Sequence, residues 1–127
     1  MNIRLITHDT FGEVRSQLSA LLIDTVAHGA SVGFLASLDT GEADTYWRGV
    51  EAAVADGTRL LLVAEADGKV RGSVQLDLCQ RQNGVNRAEV QKLIVHSTAR
   101  RQGLASALMK AVEQEALARE RGVLFLD

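Results

Sequence analysis

Val90 to Val112 read V-Q-K-L-I-V-H-S-T-A-R-R-Q-G-L-A-S-A-L-M-K-A-V. The first six residues end in Leu93, Ile94 and Val95, the pattern of a buried strand. From Leu104 onward, Leu104, Leu108, Val112 and Ala116 step at helical spacing with Lys110, Glu113 and Gln114 off the stripe. Between strand and helix stands Arg100-Arg101-Gln102-Gly103-Leu104-Ala105. A helix start carries unpaired backbone N–H groups and a partial positive charge. With arginines and a glycine beside it, such a turn suits a phosphate or pyrophosphate.

The strand carries an irregularity. Val90 is apolar, Gln91 and Lys92 are both polar, and the next three residues are all apolar. Alternation with a period of two fails at Lys92-Leu93. A β-bulge produces this phase slip, since one extra residue reverses the facing of everything after it and leaves backbone groups unpaired.

Outward from this stretch, Ile3 to Ile6 reads as a short strand. Thr10 and Glu13 have capping-box spacing ahead of a helix carrying Phe11, Val14, Leu18, Leu21, Leu22, Thr25 and Val26 and ending near Gly29. Asp39 and Glu42 offer a second capping box, before a helix with Ala43, Trp47, Val50 and Val54 that closes at Gly57. Leu60 to Ala64 reads as a strand buried on both faces. Asp67-Gly68 signals a hairpin into a strand where Val70, Val74, Leu76 and Leu78 mark one core face, and Asn83-Gly84 signals another turn. Ala88 to Val95 completes the meander. After the last helix, Gly122 suits a C-cap, and Val123 to Leu126 forms a strand parallel to the one before the helix.

The 127 residues suit one α/β domain with a mixed sheet. A formal net charge of −2 supplies no field for nucleic acid or a membrane surface. Cys79 is the only cysteine, which excludes an internal disulfide and fits a reducing cytoplasmic setting. No apolar run approaches the roughly 20 residues of a membrane helix. His8, His28 and His96 lack metal-ligand spacing, so no metal is expected. His28 and Ser31 lack a placed acid for nucleophilic work and read as a polar loop pair. His96 reads as a solvated loop residue, Trp47 as core, and Cys79 as a buried or half-buried strand residue.

The turn matches neither G-x-x-x-x-G-K-[ST] nor G-x-G-x-x-G, which argues against a P-loop or a dinucleotide-binding turn. Arg100 to Ala105 instead resembles the Q/R-x-x-G-x-G/A pyrophosphate motif of the GNAT acetyl-CoA-dependent N-acetyltransferases. The strand ending Leu93-Ile94-Val95 and the helix from Gly103 flank it as in that family, and the order β-α-α-β-β-β-α-β fits across the whole chain. Residues 28–34, 73–80, 83–93 and 124–127 resemble the branch containing the tabtoxin resistance protein, an acetyltransferase that detoxifies a β-lactam amino acid.

This resemblance implies that acetyl-CoA is the co-substrate. Its pyrophosphate would lie on Arg100, Arg101 and the amides of Gln102, Gly103, Leu104 and Ala105. Its pantetheine arm would pair with the backbone of Leu93, Ile94 and Val95. Glu89 is the implied general base for a small-molecule primary amine, possessed by a toxin or antibiotic, with Asp77 as second choice; a protein N-terminus is a lesser alternative. His28, Ser31, Phe34 and Tyr46 are the candidate acceptor-pocket residues. GNAT domains continue with a helix and two strands that supply a tyrosine general acid. The single domain 1–127 is therefore expected to be incomplete at its C-terminus. The missing part would be a lost fragment, a second chain, or be replaced by self-association through the last strand. The rival reading is a CoA-binding or interaction module without turnover.

Overall fold

The computed structural model describes residues 1–29, 37–80 and 86–126. The elements are β1 (Asn2–Ile6), α1 (Phe11–Ala27), α2 (Thr40–Ala55), β2 (Arg59–Ala66), β3 (Lys69–Leu78), β4 (Arg87–Val95), α3 (Leu104–Ala118) and β5 (Val123–Leu126). The expected order is reproduced. The strands form one sheet in the order β1-β2-β3-β4-β5. The first four are antiparallel, and β5 runs parallel to β4, with Glu89 opposite Phe125. The Asn83-Gly84 turn lies outside the described residues.

The helices cover opposite faces of the sheet. Phe11, Leu18, Leu22 and Trp47 of α1 and α2 pack on Leu61, Val63 and Ile94. Leu104, Leu108, Val112 and Ala116 of α3 pack on Leu62, Ala64, Val74, Leu76 and Val90. Leu61 to Ala64 alternate between these two cores, which is why this run is apolar at every position. β3 departs from expectation. It is covered on both faces, and its polar residues Ser73 and Gln75 are 0% exposed on the α1/α2 side.

Two bulges reset the sheet. Gly72 faces Ala64 while Val70 faces Glu65, so Arg71 is an extra residue on β3. Ser73 faces Ile94 while Gln75 faces Gln91, so Val74 stands against both Lys92 and Leu93. Lys92 takes φ 53°, in the left-handed region. This is the expected bulge. Its effect is to turn Ile94 toward α1 and Val95 toward α3, and to leave Leu93 38% exposed.

The Asp67-Gly68 hairpin has φ 55° and 74°, as a type I′ turn needs. The Asp39–Glu42 capping box is present, with the Glu42 N–H donating to Asp39 Oδ1 at 2.8 Å. The Thr10–Glu13 box is not. Thr10 already has helical φ and ψ, so its Oγ1 turns back to accept the Thr7 N–H at 2.9 Å, and Glu13 pairs with Arg4 at 3.2 Å. Gly122 is not the C-cap of α3. Glu120 takes the left-handed position at φ 59°, and the Arg121 N–H closes a Schellman motif on the Ala116 carbonyl at 2.8 Å. The Arg121 guanidinium then donates to the Cys79 carbonyl at 2.8 Å and holds the helix exit against the end of β3.

Candidate active site

β4 leads through a short 3₁₀ turn at Ser97–Ala99 to Gly103, which enters α3 at φ 80°. That backbone favours glycine, and a Cβ there would meet no protein atom within 4 Å. The space over the residue is therefore open to a ligand. The first helical bond of α3 runs from the Ala107 N–H to the Gly103 carbonyl. The amides of Leu104, Ala105 and Ser106 thus precede the helical ladder.

These features open into one cleft of about 540 Å³. Leu93, Ile94 and Val95 line it from β4, and Arg100, Arg101, Gly103, Leu104 and Ala105 line it from the helix start. Of the nine residues assigned to the cofactor by resemblance, Gln102 alone is absent from the lining. Thr25, Ala99 and Ser106 also line it and were not anticipated. Thr25 sits on the buried stripe of α1 and reads as core in the sequence; its Oγ1 donates to the Leu22 carbonyl at 2.9 Å. Among the described residues, Arg100 and Arg101 make no ion pair, so their charges are available. An apolar channel at an interrupted strand, ending at unpaired amides and two guanidinium groups, fits a pantetheine arm and its pyrophosphate.

Glu89 and Asp77 stand directly opposite each other on β4 and β3, on the α1/α2 side of the sheet. Asp77 pairs with Arg59 at 3.3 Å, and Glu89 accepts from Gln91 Nε2 at 3.0 Å. Arg59 also donates to Gln75 Oε1 at 3.2 Å, and Gln75 Nε2 donates to the Tyr46 hydroxyl at 2.9 Å. Tyr46 therefore reaches the row of polar residues that carries both carboxylates. Sequence reasoning missed Arg59 and Gln75, because neither belongs to a local motif.

His28 is the C-cap of α1, with Nδ1 2.7 Å from the Asp24 carbonyl. It does not line the cleft. Ser31 and Phe34 lie outside the described residues. His96 is not a solvated loop residue. Its ring is turned inward, with Nε2 3.5 Å from Asp24 and Nδ1 2.9 Å from the Thr98 hydroxyl. Cys79 is half-buried just past β3.

A parallel β4–α3–β5 unit with a bulged strand and an anion-suited helix start defines the class. Residues 23–127 match the acetyltransferase (GNAT) family, and the chain belongs to it. The family uses acetyl-CoA. The chain is 36% identical over 106 residues to an N-acetyltransferase from the hisH–hisA intergenic region of Azospirillum brasilense, covering 82% of this chain and 61% of that protein. It thus spans about three fifths of that relative's length. Among solved structures it resembles a ribosomal-protein-alanine N-acetyltransferase from Brucella melitensis, with a TM-score of 0.75 and 24% identity over 99% of this chain and 73% of that one. It also resembles an aminoglycoside acetyltransferase from an uncultured soil metagenomic sample, solved with sisomicin, with a TM-score of 0.72 and 16% identity over 99% and 76% of the two chains. Among the described residues, no helix is long and apolar enough to cross a membrane.

Proposed function

We propose that this chain serves an acetyl-CoA-dependent N-acetyltransferase whose acceptor is the primary amine of a small molecule. One observation carries the reading: a single cleft joins the bulged strand end Leu93–Val95 to Arg100, Arg101 and the start of α3. Bound acetyl-CoA supplies an electrophilic thioester carbon there. The arginines and the amides of Leu104 and Ala105 hold the pyrophosphate. The backbone around Leu93 and Ile94 holds the pantetheine arm, and an N–H beside the bulge donates to the thioester oxygen as negative charge develops on it.

Glu89 is the general base. It lies four residues before Leu93, roughly 10 Å or more along the strand at about 3.4 Å per residue. Its proton transfer therefore runs through water in the space between them. Gln91 orients the Glu89 carboxylate, and Arg59 neutralises Asp77, so the carboxylate pair is tolerated across the ladder. Tyr46 borders the acceptor side. The relatives act on amines as different as a ribosomal protein and an aminoglycoside, so the toxin or antibiotic acceptor rests on the sequence resemblance to the tabtoxin-resistance branch.

Calorimetry with CoA and acetyl-CoA tests the cofactor reading, and failure to bind either one sinks it. Thiol release across a panel of amines tests turnover. Binding without release would favour the module that holds CoA and does no chemistry. Gly103→Val places a β-branched residue at positive φ, at a cost of roughly 1–2 kcal/mol, and puts its side chain over the phosphate site. It should lose CoA affinity while the chain stays folded, whereas Gly103→Asn, which tolerates that backbone, should lose less.

A further inference from the structure

Asp24 lies in the last turn of α1, where the helix dipole disfavours a negative charge. Its side chain is only 13% exposed. What it does there is visible across the fold. Oδ2 accepts the backbone N–H of Ser97 at 2.7 Å, and Oδ1 accepts the Ser97 hydroxyl at 2.7 Å. Both bonds reach 73 residues along the chain, to the first residue of the 3₁₀ turn that follows β4. Two imidazoles flank the carboxylate, His28 Nδ1 at 3.4 Å and His96 Nε2 at 3.5 Å from Oδ1. His96 Nδ1 accepts the Thr98 N–H at 3.2 Å.

The turn held in this way is the one that feeds the cleft. Ala99, Arg100 and Arg101, two to four residues after Ser97, line it, as does Thr25, the residue after Asp24. The other anchor of this segment is the His96 N–H, which donates to the Arg71 carbonyl at 2.7 Å. One end of the connection is thus pinned to the sheet and to α1, and the other is fixed by α3.

We infer that Asp24 is a positioning residue for the cofactor: by gripping Ser97 it sets the connection between β4 and α3 so that Arg100, Arg101 and the α3 amides face the pyrophosphate. This rests on the acetyl-CoA reading of the cleft. Two physical effects oppose each other here and make the inference testable. Coulomb's law alone says that removing a negative charge near an anion site tightens anion binding. Loss of the grip says that binding weakens.

The experiment measures acetyl-CoA affinity by calorimetry, together with kcat and KM, for the unsubstituted chain, Asp24→Asn, Ser97→Ala and the double variant. Asp24→Asn should weaken acetyl-CoA binding about tenfold or more, the scale of a lost charged hydrogen bond. At saturating acetyl-CoA, kcat should stay within about threefold, because neither Glu89 nor the bulge is touched. Ser97→Ala keeps the backbone bond and should lose less. The double variant should be little worse than Asp24→Asn alone, since both changes break one tie. Unchanged or tighter binding by Asp24→Asn, a fall in kcat with unchanged affinity, or additive losses would each overturn the inference. If Asp24→Asn fails to fold, Ser97→Ala carries the test, and unchanged affinity in it overturns the inference. If the unsubstituted chain binds no acetyl-CoA, the cofactor reading itself fails and takes this inference with it.

Discussion

Gly72 of β3 lies so close beneath Ile94 of β4 that a Cβ on it would stand 3.1 Å from the Ile94 carbonyl oxygen. It would also stand 3.1 Å from Leu108 Cδ1 of α3. A leucine methyl can swing away, but a carbonyl in a sheet ladder cannot. The strand proposed to hold the pantetheine arm is therefore seated against a residue whose Cβ would be crowded by backbone.

Gly72→Ala should destabilise the chain by about 1–3 kcal/mol, the range for overpacking a filled site. Pushing on the Ile94 carbonyl should also weaken CoA binding. Gly49 of α2 is the control, because a Cβ there meets nothing within 4 Å. Gly49→Ala should be neutral or stabilising by up to about 1 kcal/mol. Urea unfolding curves for the two variants give the comparison.

Glu89→Gln should lower kcat by about 10²–10⁴-fold, the usual span for a general base. The KM for acetyl-CoA should change little, since Glu89 does not line the cleft proposed for it. Asp77→Asn, which weakens the Arg59 pair at 3.3 Å, should cost less. Steady-state kinetics showing the reverse order would move the base role to Asp77.

Asp39→Ala should cost about 0.5–2 kcal/mol, because it removes a formed capping box. Thr10→Ala removes no helix cap and loses only contacts to Thr7: the bond from the Thr7 N–H, the 3.2 Å contact with Thr7 Oγ1 and the 3.3 Å bond to the Thr7 carbonyl. It should cost less than Asp39→Ala. Thermal unfolding of both variants separates two sites that have the same spacing in sequence.

Burial raises the pKa of Asp24, but the Ser97 N–H, the Ser97 hydroxyl and the neighbouring His96 and His28 together outweigh it, and the carboxyl is held below the usual range. A lowered carboxylate pKa stabilises the fold above the unfolded value of about 3.9 and loses that contribution as pH falls through the folded value. The stability gap between the unsubstituted chain and Asp24→Asn should therefore be full at neutral pH and shrink below about pH 4. Urea midpoints measured from pH 3 to 7 would show it, and a gap that widens toward low pH would contradict the assignment.

Much of this was legible in the sequence. The slip at Lys92-Leu93 reports the bulge, since a change of facing leaves a mark in the order of apolar residues. The α3 stripe and the Arg100–Ala105 turn report the helix start, and positive φ at Gly103, Gly57 and Gly29 follows from residue type. Glu120 at φ 59° went unseen, because a glycine stood two residues further on, whereas the Arg121 N–H bond to the Ala116 carbonyl closes the turn earlier.

Local periodicity is enough to determine element order, strand phase and the Arg100–Ala105 turn, because each depends on residues a few positions apart. Which polar residues are buried, and which meet, was decided by tertiary packing. Gln75 reads as a solvent-facing strand residue until α2 brings Tyr46 over it. Asp24 reads as an ordinary helix-end aspartate until the sheet carries Ser97 to within 2.7 Å. A hydrogen bond between residues 73 positions apart leaves no period in a sequence, and only the folded arrangement of α1 beside β4 brings its two halves together.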